Sequence, residues 1–83
     1  AGEPSAQMLY QAGVLMQSME KREEAAGYYR KALQENPGFV EALVNLGHVL
    51  HASGDAEGAA GCWQKAVELK PELAAEYFSL TRR

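Results

Sequence analysis

The amino-acid sequence predicts an all-α fold of stacked antiparallel helix pairs. Three observations carry that reading. The 83-residue chain repeats itself with a period of 34, so that Leu43 stands where Leu9 stood and Pro71 where Pro37 stood. Within each period the apolar residues fall at i, i+3, i+4 and i+7, the spacing of one helix face. No stretch sustains the alternation of apolar and polar residues that a half-buried strand needs.

The repeat needs no gap. Its ten identities are Leu9/Leu43, Gly13/Gly47, Glu23/Glu57, Ala25/Ala59, Ala26/Ala60, Gly27/Gly61, Lys31/Lys65, Ala32/Ala66, Pro37/Pro71 and Leu46/Leu80. Tyr29 exchanges for Trp63 and Leu33 for Val67. Taken in order, the first helix is expected over 5–19, where Leu9, Ala12, Gly13 and Met16 form the apolar face. The second, over 22–35, places Ala25, Tyr29, Ala32 and Leu33 likewise, and opens on Glu23 and Glu24, which suit the positive end of a helix dipole. The third, over 39–52, repeats the first with Leu43, Leu46, Gly47 and Leu50. The fourth, over 56–69, repeats the second with Ala59, Trp63, Ala66 and Val67. A fifth is expected over 72–82. Ser53-Gly54-Asp55 separates the third helix from the fourth: glycine suits a left-handed residue past a helix end, and aspartate suits the next N-cap. The matching break, Glu20-Lys21-Arg22, has no glycine and is expected to be strained or differently shaped. Pro37 and Pro71 end the second helix of each period, because proline lacks the amide donor and disfavours helix at the residue before it. A mid-helix glycine costs about 1 kcal/mol relative to alanine. Gly13 and Gly47 therefore imply close approach of a neighbouring helix, with Tyr29 and Trp63 as the large pieces that fill the space between.

Composition narrows the function. A chain with 47% hydrophobic and 23% charged residues is globular rather than disordered. The longest apolar candidate for a membrane span, Phe39 to Leu50, is interrupted by Glu41, Asn45 and His48. No secretory leader is visible, and without an initiator Met the chain reads as a piece of a longer protein. The compartment stays open, with cytoplasm slightly favoured. A lone cysteine, Cys62, excludes an internal disulfide framework and a multi-cysteine zinc site. A net charge of −3 and a pI near 5.3 argue against nucleic acid.

Leu43, Leu46, Gly47, Leu50, Ala59, Trp63, Ala66 and Pro71, with Leu9, Gly13, Met16, Ala25, Tyr29, Ala32 and Pro37 one period earlier, resemble the tetratricopeptide repeat family. Ala12 departs from its pattern, since a larger aliphatic is usual there. The resemblance covers nearly the whole chain. It implies a right-handed α-solenoid of about five helices: an extension at 1–5, one unit at 6–39, a second at 40–73, and a capping helix or third unit at 74–83, with Tyr77 and Leu80 in core places. About three such units are normally needed for stability, which again suggests a slice of a longer array.

The resemblance further implies that the first helix of each unit lines a concave groove for peptides. Carried over position by position, the groove residues are Gln7, Tyr10, Gln11, Val14 and Gln17, then Glu41, Val44, Asn45, His48 and His51, then Ala75, Phe78 and Ser79. Asn45 stands out, because a side-chain amide can donate to and accept from a peptide backbone of any sequence. Replacing Asn45 and Tyr10 by alanine is expected to weaken binding with little loss of helix. The family's two-carboxylate clamp is not expected. It needs basic residues where this chain has Tyr10, Ala75 and Ser79, and asparagine where it has Val14. The expected partner is thus a protein segment with apolar anchors, not an acidic chaperone tail.

Other residues carry blander readings. His48 and His51 have chelating spacing on one helix, but only Glu41 lies near them in sequence, so no metal site is assigned. Cys62 has no base placed for it and reads as a packing residue. Tyr29 is expected inside and its neighbour Tyr28 on the convex side. No phosphate loop or catalytic constellation is present, and neither catalysis nor a cofactor is expected. The expected role is a protein–protein interaction module of a scaffold or adaptor. Its rivals are an array that self-assembles weakly through the exposed ends, and a substrate-presenting region of a larger enzyme.

Overall fold

The computed structural model describes Gly2 and residues 4–77. The chain runs α1 (Ala6–Ser18), α2 (Arg22–Glu35), α3 (Val40–Ala52), α4 (Ala56–Leu69), a 3-10 turn (Pro71–Leu73) and α5 (Ala74–Tyr77). There are no strands among the described residues. α1 packs on α2 and α3 on α4, and the two hairpins meet chiefly where α2 packs on α3. The stack measures 50 × 25 × 17 Å. Of the expected fifth helix, the 3-10 turn and α5 are seen; Phe78 and Leu80 lie outside the described residues, as does the Tyr77 side chain.

Each helix starts and stops for a local reason. Ser5 caps α1, its hydroxyl accepting the Met8 amide at 3.2 Å. Asp55 caps α4, its carboxylate accepting the Gly58 amide at 2.9 Å. Past α1, the Glu20 amide reaches the Gln17 carbonyl at 2.9 Å and the Lys21 amide reaches Met16 at 2.9 Å. Past α3, Gly54 reaches His51 at 3.1 Å and Asp55 reaches Leu50 at 2.8 Å. The two turns are the same paired closure, built on a left-handed residue. Glu20 adopts φ 62° and Gly54 φ 92°. The break without glycine therefore has the same form as its counterpart and holds the strain at Glu20. Asn36 turns the chain after α2, its side-chain oxygen accepting the Gly38 amide at 3.1 Å.

The core follows the small-against-large pairing. Ala25, Ala32, Ala59 and Ala66 are fully buried, and so is the whole Tyr29 side chain. A Cβ on Gly13 would stand 2.5 Å from Cε1 of Tyr29, and one on Gly47 would overlap the Trp63 indole. Both glycines let an aromatic ring come close against the helix opposite. Between the hairpins, Ala25, Ala26 and Tyr29 of α2 close against Leu46 and Val49 of α3. Leu9, Ala32 and Ala42 form a second cluster, bordered by Tyr10, Tyr28 and Phe39.

Candidate peptide-binding groove

The groove candidates of α1 and α3 divide by burial. Gln7, Gln11, Val14, Glu41, His48 and His51 are exposed, while Tyr10, Gln17, Val44 and Asn45 are half-buried. Phe78 and Ser79 lie outside the described residues, and Ala75 is exposed on α5. Tyr10, Gln17 and Asn45 of the half-buried set join the buried Tyr29 in a polar network across the two hairpins. The Tyr29 hydroxyl donates to Oε1 of Gln17 at 2.6 Å. The Asn45 amide Nδ2 donates to the hydroxyls of Tyr10 and Tyr29, each at 3.3 Å. Tyr10 stacks obliquely on Tyr29 at 5.8 Å and on Phe39 at 5.0 Å between ring centres.

Asn45 thus serves the scaffold with its donor side. Its carbonyl oxygen and the Tyr10 hydroxyl proton have no protein partner among the described residues. Tyr29 belongs to this network although it sits on α2; helical spacing placed its ring inside, but the part its hydroxyl plays here was not read from the sequence. An aromatic with a polar tip on the core face of α2 and an amide on the inner helix α3, 16 positions apart, are the marks that could have paired them.

At the second hairpin, Trp63 forms the neighbouring floor. Its indole N–H donates to the Val44 carbonyl at 3.3 Å. The His48 ring meets it edge-on at 5.5 Å and the His51 ring at 5.8 Å. No group of three His, Cys, Asp or Glu that could hold a metal occurs among the described residues. Burial pushes the Tyr29 hydroxyl above its ordinary value of 10.0, partly opposed by the bond from Asn45. Burial also pushes the Cys62 thiol up, with Arg30 opposing; the half-buried sulfur packs beside the inter-hairpin cluster.

Stacked helical hairpins with small-against-aromatic packing define a helical-repeat module, a class that offers surfaces for proteins. The chain belongs to the tetratricopeptide repeat family, whose model matches residues 17–83. It is 41% identical over 63 residues to the probable biofilm formation methyltransferase WspC of Pseudomonas putida, covering 76% of this chain and 15% of that protein. It is 29% identical over 83 residues to the photosystem I assembly protein Ycf3 of Acaryochloris marina, covering 83% of this chain and 50% of that protein. The chain thus spans half or less of these curated relatives. The crystal structure of MamA protein matches with a TM-score of 0.73 at 29% identity, covering 88% of this chain and 39% of that one. The fold is that of a module of the kind that binds protein partners. No helix among the described residues is long and apolar enough to cross a membrane.

Proposed function

We propose that the chain binds an extended or helical peptide segment of a partner protein in the groove between α1 and α3. The observation that carries this is the Tyr10–Asn45 pair. It offers one hydroxyl proton and one amide oxygen side by side, which matches the acceptor and donor of a peptide bond. Around the pair, Gln7, Gln11 and Val14 are exposed and uncharged, and Glu41 is the only carboxylate among the groove candidates. That setting favours a segment with apolar side chains and without a run of negative charge.

Selection from a random-sequence peptide display library, followed by calorimetric titration of the enriched peptides, tests this. Enriched segments should carry apolar anchors, and Val14→Asp should weaken them by about tenfold, roughly 1.4 kcal/mol. Acidic carboxy-terminal tails as the dominant ligands, or an affinity indifferent to Val14→Asp, would refute the groove reading. A second reading is favoured by the likeness to WspC, a protein whose name describes a methyltransferase. In it the same groove presents a protein to a catalytic domain elsewhere in a longer polypeptide. A catalytic domain encoded in frame with this segment would mark that case.

A further inference from the structure

Tyr29 and Trp63 hold equivalent places one period apart, but what meets them from the A helices differs. The Tyr29 hydroxyl is met by the side-chain amides of Gln17 and Asn45. The Trp63 indole is met by two imidazoles, His48 at 5.5 Å and His51 at 5.8 Å between ring centres. Both histidines are exposed, and the indole they rest on is half-buried. Histidine is the side-chain type whose charge changes around and just below neutral pH. One period earlier the same two positions are Val14 and Gln17, so α1 has no counterpart of this pair.

The surroundings of the pair are poor in charge on the groove side. From Pro4 to Met19 the chain carries none, so α1 offers no anion to a charged imidazole. α2 meets α3 through Ala25, Ala26 and Tyr29, with Arg22 at its first position. α4 brings Trp63 and the half-buried Cys62 thiol, with Asp55 and Glu57 at its start. The Asp55 carboxylate is engaged by the Gly58 amide at 2.9 Å. On α3 itself Glu41 stands about two turns before His48. A proton taken up by either histidine therefore places a positive charge on the floor of a groove whose α1 wall is uncharged.

We propose that His48 and His51, resting on Trp63, make the groove a proton-gated site, which holds an apolar segment at neutral pH and lets it go in mild acid. The gate rests on the peptide-groove reading above and adds its regulation. Two effects act in the same direction. The empty groove gains from the proton, since both imidazoles already lie within the ~6 Å of an indole centre at which a cation and an aromatic ring attract each other. The filled groove loses, since an apolar side chain laid over an imidazolium removes its water and supplies no anion in return. Protons and guest therefore compete. Binding expels protons, and the apparent affinity falls with the fraction of molecules in which both rings are neutral.

Calorimetric titration at about pH 7.5 and about pH 6.0 tests this. The probe is a display-selected peptide with apolar anchors, blocked ends and no histidine or acidic side chain, so that the guest itself does not titrate. Its Kd should rise about tenfold at the lower pH. At about pH 6.5, heats measured in two buffers of different ionisation enthalpy should show release of about one proton per guest bound. In the double variant His48→Gln/His51→Gln, whatever its affinity, the ratio of the two dissociation constants should fall below about twofold. A wild-type ratio near unity, binding without proton release, or a ratio that persists in the double variant would each overturn the gate and leave the groove reading standing. Failure of every selected peptide to bind at either pH would overturn the groove reading and the gate with it.

Discussion

The Tyr29 ring is fully buried, yet its hydroxyl donates to Gln17 and accepts from Asn45. Burial raises the pKa of that hydroxyl above 10.0, so the folded state keeps the proton at pH values where the unfolded chain has lost it. This contribution to stability is complete below about pH 10 and is lost as the pH climbs through the raised folded value. Tyr29→Phe should therefore flatten the alkaline loss of stability, while lowering stability at neutral pH by about 1–2 kcal/mol through its lost hydrogen bonds. Urea midpoints measured between neutrality and pH 11 check both. The interior place of Tyr29 was legible from helical spacing alone. The roles of Asn45 and Tyr10 were only half legible. Their residue types and helix face pointed to a groove, but the bond between them joins positions 35 apart in sequence and exists only once the hairpins stack.

The hairpins depend on glycines that do different jobs. At Gly47 a methyl group would drive into the Trp63 indole, which the Val44 carbonyl holds in place. At Gly61 a methyl group would meet nothing within 4 Å. Gly47→Ala should thus cost about 1–3 kcal/mol of overpacking, more than the helix propensity it gains. Gly61→Ala should add about 0.5–1 kcal/mol, which thermal melts would register as a rise of a few degrees. The turn after α1 stores strain in a left-handed Glu20. Glu20→Gly should raise stability by up to about 1 kcal/mol in urea titrations, because relief of about 1–2 kcal/mol outweighs the added freedom of the unfolded chain. The elements were legible because proline, aspartate and the glycine–aromatic pairs mark them locally. The shape of the Glu20 turn was not, because nothing in Glu-Lys-Arg signals a left-handed residue; the docking of α1 on α2 imposes it.

At the scale of the molecule, stability is a sum over neighbours, since α2 on α3 is the principal seam between the hairpins. The Asn45 amide crosses that seam to Tyr29 and reaches Tyr10 on α1. Asn45→Ala should lower stability by about 1–3 kcal/mol and make the urea transition shallower, as the hairpins begin to unfold separately. An unchanged midpoint and slope would show that apolar packing alone couples them. This scaffold role bears on any binding assay: Asn45→Ala alters the floor as well as any contact to a guest, so exposed Val14 is the cleaner site to vary.

Trp63 is the chain's single tryptophan, and its indole lies beneath His48 and His51. Emission from this one fluorophore arises from the floor of the proposed groove, uncontaminated by any other indole. A guest that shifts either imidazole, or shields the ring from water, changes its wavelength or intensity. The protein thereby carries an intrinsic optical reporter by which occupancy of the proposed groove can be tested in solution without attaching a dye.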